Sequence, residues 1–538
     1  MEERYIASVD LGTSKTAVCV ARIQDQDVQV IYYKESPSQG IRYSYVYNPR
    51  KVEDGLRMAI TQAQQELKIK IQQVIVGLPR YFVRQETASA SMVRTEPDSQ
   101  ISEGEVKTLK SMALEEYPLG DPKTEVIYGA VAQSFSTEDS LGELENDIVG
   151  MTAEKLEGNF KVFIGSRKHS VNIDNVFNGM GIAIAKKYFT PGITARAVLK
   201  EEQMENGVAL IDIGAGVSSV TIFKGKIMRY YAAVPFGGNS ITNDIKSECN
   251  FSFALAENIK KAYGACMPRK LSALGEKSIQ IVDENDVPTA QVTVKYISEI
   301  ISARMKEIID ALLYHIQISG YAAEDILRAG VVVTGGGAEM VNCANYIKEL
   351  SGYSVKVGYP RRFFSCEGCP EAGETGAATS MGMIMAAKSD KMLNCINEAP
   401  ARRFWTAPKP VQEEVSLSSD DKDVQTQPAP EDKTETVVPV LEPETVPEPE
   451  SEPAIEESVI AAQIEGEPTI FGEPTAEEIK DYENRKSGKG SKTPKQPRPP
   501  KQPRQPRPRP QFTWFKHIQS SFSEGMGKIF ESMENEEI

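Results

Sequence analysis

The sequence predicts an α/β protein of two similar lobes, on three observations. The phrase YIASVDLGTSK, Tyr5 to Lys15, recurs in kind as VALIDIGAGVSS, Val208 to Ser219. Each copy is an apolar strand, then Asp, an apolar residue, Gly, and a second turn of small residues. A third apolar strand, in AGVVVTGGGAEM, runs into Gly335, Gly336 and Gly337. Strand-like and helix-like apolar segments also succeed one another regularly up to about residue 400, enough length for a large core.

In chain order, residues 5–21 read as a strand, a tight turn and a second strand, and residues 23–33 extend the meander. Val52, Leu56, Ala59, Ile60, Ala63 and Leu67 have helical spacing. Residues 73–78 form a strand ending in GLP. Residues 84–167 carry alternating stretches near 87–93, 126–132 and 161–164, and a helix begun by Ser102 with Glu105 at capping-box spacing. No phosphate-loop phrase occurs there, so this stretch reads as an inserted subdomain. A helix over 172–181 leads to a strand and turn in IAIAKKYFTPG, and a helix over 195–204 precedes the second loop. Strands over 217–223 and 227–234 follow, then a turn opening a helix at PFGGNSITNDI, a helix over 254–263 and a polar strand-like stretch over 278–288. A long helix over 294–318 is capped by Gly320. A helix from Glu339 and a small-residue helix over 374–388 close the series.

The two repeated loops carry the chemistry. A strand followed by such a turn exposes backbone N–H groups that cradle a phosphate. Gly12, Thr13, Ser14 and Lys15 form the first cradle, and Gly214, Ala215, Gly216, Val217 and Ser218 the second. Asp10 and Asp212 sit at strand ends, where a carboxylate holds a magnesium ion or its waters. Glycines 335–337 let the backbone approach a flat ligand. Taken singly, each motif is more often an ordinary strand–turn–helix. In this order they describe a phosphate clamp across a cleft.

Composition narrows the classes. Net charge is −15, but residues 411–484 hold 22 Asp and Glu against 3 Lys, while residues 485–510 hold 10 Lys and Arg and no acid. The remainder is close to neutral. Seven scattered cysteines fit a reduced compartment better than a disulfide framework. Cys366 and Cys369 form a lone CxxC with no second pair, and His169, His315 and His517 lie far from it in sequence, so two unrelated thiols are the simpler reading. No signal peptide or membrane-spanning run is visible, which points to a cytosolic chain.

Residues 406–510 are rich in Pro, Glu, Thr and Lys and are expected to be disordered, because they offer too little apolar surface to offset chain entropy. Eight prolines between 494 and 510 stiffen the basic end. The last residues regain helical spacing. Phe515, Ile518, Phe522, Met526, Ile529 and Met533 make one apolar stripe, widened by Phe512, Trp514 and Phe530. A stripe beside a polybasic run supplies the two signals of stable binding to anionic lipid. No aromatics interleave the basic run, so nucleic acid is not an expected partner.

These loops resemble the ATPase superfamily of actin, sugar kinases and heat-shock-70 proteins. The place of the insertion after GLP, the run PFGGNSITNDI followed by ALAENIKKAYG, and the terminal helix narrow the resemblance to the FtsA family of bacterial cell-division proteins. That resemblance implies an actin-like two-lobed fold with duplicated ribonuclease-H-like domains, an inserted small subdomain, and a disordered tail ending in an amphipathic helix. It divides the chain into lobe 1 (1–83 and 168–206, with 375–400 returning), the insertion (84–167), lobe 2 (207–374), the linker (406–510) and the membrane-targeting helix (511–538). It implies ATP and Mg2+ as cofactors, with Glu257 and Lys260 reaching the adenosine. The segment ISARMKEI resembles the helix that engages the C-terminal tail of the tubulin-like FtsZ, which implicates Arg304 and Glu307. The implied role is to tether FtsZ filaments to the inner face of the cytoplasmic membrane at the division site, with self-assembly, anionic lipids and other division proteins as further partners. Ala215 and Val217 depart from the usual second loop, and no glutamine is evident to orient an attacking water, so at most a slow ATPase is expected. The alternatives are a sugar kinase or chaperone-type ATPase, or a pilus- or plasmid-related actin homologue. A kinase needs an aspartate base in a sugar pocket, and a chaperone needs a β-rich domain where this chain has its linker.

Overall fold

The computed structural model describes residues 3–282, 288–323, 325–366 and 368–396 of the 538-residue chain. Two sheets share one plan. In the first, Arg4–Leu11 pairs antiparallel with Lys15–Gln24, which pairs antiparallel with Asp27–Pro37. On its other side Arg4–Leu11 runs parallel to Gln73–Leu78, and that strand runs parallel to Ala183–Phe189. In the second sheet Val208–Ile213 takes the central place, with Ser218–Lys224 and Ile227–Val234 antiparallel on one side. Val331–Thr334 and Val355–Val357 lie parallel on the other. Order and direction therefore repeat over five strands, and the first sheet adds Ser365–Cys366, parallel to Asp27–Pro37, at its edge. Every residue of Val208–Ile213 is buried, which is why the strand reads as a continuous apolar run rather than an alternation.

Local rules account for several helix ends. Asn48 caps Pro49–Leu67 by accepting from Lys51 N at 3.2 Å, and Pro49 fits the first turn, where its missing N–H costs nothing. The buried face of that helix is Val52, Leu56, Ala59, Ile60 and Ala63. Thr293 caps Val294–Ile318, which packs beneath the second sheet. The small-residue helix Ala378–Ala387 lies against Thr190–Val198. A Cβ on Gly382 would stand 2.5 Å from the Ile193 carbonyl oxygen, so the two backbones approach more closely than any side chain allows.

Four expectations are corrected. The helix expected over 195–204 is two helices, Thr190–Val198 and Glu201–Asn206, separated at Leu199, whose backbone is extended. Pro191, read as part of a turn, instead occupies the first turn of a helix. The helix expected from Glu339 begins later, at Cys343, because Gly336–Glu339 forms a tighter 3-10 turn. The closing helix likewise starts at Ala378, after two short 3-10 turns.

Residues 84–166 form a separate four-stranded antiparallel sheet, in the order Arg84–Val93, Lys155–Ser166, Glu125–Ser136, Leu141–Glu143. It has its own core, including Ile101, Leu109, Phe135, Ile148, Leu156 and Phe160. Its helix Glu103–Glu115 starts in a complete capping box: Ser102 Oγ accepts from Glu105 N, and the Glu105 carboxylate accepts from Ser102 N at 2.8 Å. That carboxylate also pairs with Arg94, whose Nε lies 2.8 Å from Glu105 Oε1 and whose side chain is 1% exposed. The Arg94 hydrogen bond, followed by that from the Ser102 backbone, holds the Glu105 carboxyl down at about 2. A depressed carboxylate stabilises the fold fully above its ordinary range, and that contribution fades as pH falls from the ordinary range towards about 2. Glu105→Ala is expected to cost about 2 kcal/mol, because it removes the carboxylate paired with a buried guanidinium, which keeps its acceptors at Ser99 and Ala153, and one half of the capping box. Denaturant unfolding at neutral pH measures this cost, and the gap between wild type and variant should shrink in acid.

The linker expected over 406–510 and the amphipathic helix expected over 511–538 lie outside the described residues. So do the membrane-facing Phe512, Trp514, Phe515, Ile518, Phe522, Met526, Ile529, Phe530 and Met533. Among the described residues no helix is long and apolar enough to cross a membrane.

Candidate functional site

The two repeated turns face each other. Gly214 N donates to Val217 O at 3.0 Å, closing the second loop on itself. That loop is braced from behind by the start of helix Gly238–Cys249, where Gly238 N donates to Gly214 O at 2.9 Å and Asn239 N to Ala215 O at 2.8 Å. The first loop is held by Ser38 Oγ donating to Gly12 O at 2.8 Å and by Ser44 N donating to Thr13 Oγ1 at 3.0 Å. The loops come so close that a Cβ on Gly216 would lie 2.8 Å from Thr13 Oγ1.

Between them opens a cleft of about 870 Å³. Asp10, Gly12, Thr13, Ser14 and Lys15 line one wall, and Asp212, Gly214, Ala215, Gly216 and Val217 the other. Glu257, Lys260, Gly335, Gly336 and Gly337 complete it. Such a volume is ordinary for a small-molecule or cofactor site. Ser218 is the exception among the residues expected here. It is fully buried, its hydroxyl donates to Phe236 O at 2.8 Å, and it supports the loop from behind instead of facing the cleft. A smaller cavity of about 340 Å³ in the second lobe, bounded in part by Glu248, Cys249, Phe251 and Tyr296, has no such loops around it.

Glu257 and Lys260 share one turn of helix Phe253–Tyr263, and their charges meet at 2.7 Å. Lys260 Nζ also donates to Thr242 Oγ1 at 2.8 Å and to Gly238 O at 3.0 Å, and Thr242 Oγ1 donates to Glu257 at 2.5 Å. Burial pushes the Glu257 carboxyl up, but the hydrogen bonds from Lys260 and Thr242 outweigh it and leave it below the ordinary range. The pair is thus held as a fixed polar feature on the cleft wall. Gly335 has φ +85°, and a Cβ there would stand 2.4 Å from Asp212 Oδ1 and 2.6 Å from Ile213 O. Only glycine serves at that point.

Sequence reasoning missed several cleft residues. Arg80 and Glu35 are the charged ones of most consequence, and Phe253, Thr375, Gly376 and Thr379 also line the space. Lys15 Nζ pairs with Glu35 at 2.5 Å, and Arg80 pairs with Asp212 across the cleft. The sequence signal for Arg80 was its place just after the strand Gln73–Leu78, a position where parallel-sheet proteins bind ligands. Burial pushes the Asp10 carboxyl up, and Arg80 is the strongest charge opposing that rise.

Arg304 and Glu307 lie away from the cleft lining on Val294–Ile318. Arg304 is bidentate to Asp244, with Nε to Oδ2 at 2.6 Å and Nη2 to Oδ1 at 2.9 Å, and its Nη1 meets Glu307 at 2.6 Å. Glu307 is two-thirds exposed, so the cluster presents a polar surface. All seven cysteines are free. Cys369 is buried and Cys366 partly so. Among the described residues no group of three or more His, Cys, Asp or Glu is placed to hold a metal ion.

Comparisons with known proteins show likenesses of sequence and of fold. A family model described as "Cell division protein FtsA" matches residues 209–382. The FtsA of Neisseria meningitidis serogroup B is 28% identical over 365 residues, covering 67% of this chain and 85% of that protein. The FtsA of Pseudomonas aeruginosa is 26% identical over 384 residues, covering 71% and 89%. Among solved structures, a PilM–PilN type IV pilus biogenesis complex aligns over 71% of this chain and 98% of that chain. Its TM-score is 0.50 at 13% identity, a likeness of fold alone. With the duplicated sheet order, these likenesses make the fold actin-like.

Proposed function

We infer that this chain, which belongs to the FtsA family of cell division proteins and has an actin-like fold, binds ATP in its cleft and tethers FtsZ filaments to the inner face of the cytoplasmic membrane. The observation that carries this reading is the pair of facing loops, with the Glu257–Lys260 pair on the wall of the same cleft. Two cradles on opposite lobes grip a polyphosphate chain from both sides, and gripping it draws the lobes together. Self-assembly into filaments follows naturally from a two-lobed subunit whose shape depends on nucleotide. Hydrolysis is slow at most, because no residue is assigned to position water.

The Arg304–Glu307 surface is the site we assign to the FtsZ tail. The basic run at 485–510 and the apolar stripe at 511–538 are the membrane contacts, and anionic lipids are their ligands. This makes the protein a peripheral one at the division site, in company with other division proteins.

Titration calorimetry with ATP tests the cleft. The full chain should bind, and Lys260→Met should weaken binding about tenfold by removing the charge that orders Glu257 and Thr242. Unchanged affinity would remove Lys260 from the site. The partner surface is tested separately with an FtsZ C-terminal peptide. Arg304→Ala together with Glu307→Ala should weaken its binding about tenfold, a typical cost of losing a charged contact, while ATP affinity stays as it was. Equal peptide binding by wild type and variant would leave the pair as a structural link to Asp244.

A further inference from the structure

The magnesium ion expected between Asp10 and Asp212 has a competitor built into the chain. Arg80 lies two residues beyond the strand Gln73–Leu78 of the first lobe and reaches over to the second. Its Nη1 donates to Asp212 Oδ2, and its Nη2 donates to Thr379 Oγ1 at 3.0 Å. Its backbone is fixed on both sides: Arg80 N donates to Ser44 Oγ at 3.1 Å, and the Tyr231 hydroxyl donates to Arg80 O. The Arg80 and Asp212 side chains are 13% and 11% exposed, so this is a seated group, not a surface arm.

Magnesium needs about six oxygen ligands in a near-octahedral shell, usually one or two carboxylates with waters and phosphate oxygens. Here one of the two carboxylates is committed to a guanidinium, whose like charge repels a dication from the same spot. The residues present do not fit a resident magnesium ion while Arg80 is seated.

We propose that Arg80 supplies the cation of this cleft, so that a nucleoside polyphosphate binds here without a divalent metal. The proposal rests on the phosphate-binding reading of the two loops. A guanidinium is well suited to this role. It is charged at every physiological pH, and its planar fork has five N–H donors, two of them accounted for by Asp212 and Thr379. The others remain to meet phosphate oxygens in bidentate fashion. Lys15 lines the same cleft as a second cation, paired in its turn with Glu35.

The test is ATP binding by the full chain at constant ionic strength, once with magnesium and once with EDTA. We expect the two Kd values to agree within about threefold. Arg80→Met should lose about a hundredfold in EDTA, the scale of a bidentate charge-assisted contact, and should regain part of that loss when magnesium is added, since Asp212 is then released. Arg80→Lys should keep metal-free binding at reduced strength, because lysine carries the charge without the fork. The double variant Arg80→Met, Asp212→Asn avoids stranding a buried carboxylate and serves if the single variant does not fold. Wild-type binding that appears only with magnesium overturns the proposal and leaves the phosphate cleft standing. Metal-free binding that survives in Arg80→Met also overturns it. Absence of binding in both buffers overturns the proposal and the nucleotide reading together.

Discussion

Gly335→Ala is expected to abolish nucleotide binding and to destabilise the fold by about 3 kcal/mol. Two effects combine at this position. The residue sits at φ +85°, where any side chain is strained. The added methyl would also meet Asp212 Oδ1 at 2.4 Å and the Ile213 carbonyl at 2.6 Å. The first obstacle is a side chain of the site itself, and the second is backbone of the central strand, which cannot step aside without breaking the sheet. Relief therefore comes only by moving Asp212 or the glycine turn, and either distorts both walls of the cleft. Gly336→Ala is the matched control for stability alone, because a Cβ there meets nothing within 4 Å and the backbone carries no positive φ, although the residue lines the cleft. Thermal unfolding should separate the two variants clearly. If Gly335→Ala melts with wild type and binds ATP, the close approach of the glycine turn to Asp212 is not a requirement of the site.

Truncation after Pro510 is expected to remove nearly all sedimentation with anionic vesicles. The lost segment holds the apolar stripe from Phe512 to Met533, whereas the basic run before it stays. Ten basic residues near an anionic surface contribute ~1 kcal/mol each only while they remain within a Debye length of it. Without an apolar anchor that attraction becomes weak and salt-sensitive. The truncated chain should thus show residual binding at low salt and none at physiological salt, and FtsZ should stay in the supernatant with it. The full chain should carry FtsZ down. Equal sedimentation of both forms at physiological salt would move the membrane contact elsewhere in the chain and leave the terminal stripe free to dock on protein.

Much of this protein is written locally. The capping box at Ser102 and Glu105, the cap at Asn48 and the strand over 73–78 depend on neighbours a few residues away, and the sequence determined them. The two Asp-and-glycine phrases also determined the duplication, because each specifies the same strand and turn wherever it occurs. Local rules failed where one residue type serves two structures. Pro191 and Gly192 suit a turn and a helix start equally, and only packing of Thr190–Val198 against Ala378–Ala387 selected the helix. Tertiary structure alone decided the pairings on which the site turns. Arg80 meets Asp212 across 132 positions of sequence, and Arg304 meets Asp244 across 60. Nothing in the spacing of those residues announces a partner. The order of strands in two sheets brings the first pair together, and the packing of helix Gly238–Cys249 against helix Val294–Ile318 brings the second. Sequence thus located the two Asp-and-glycine loops, whereas Arg80, which stands between them, became visible only once the lobes were assembled.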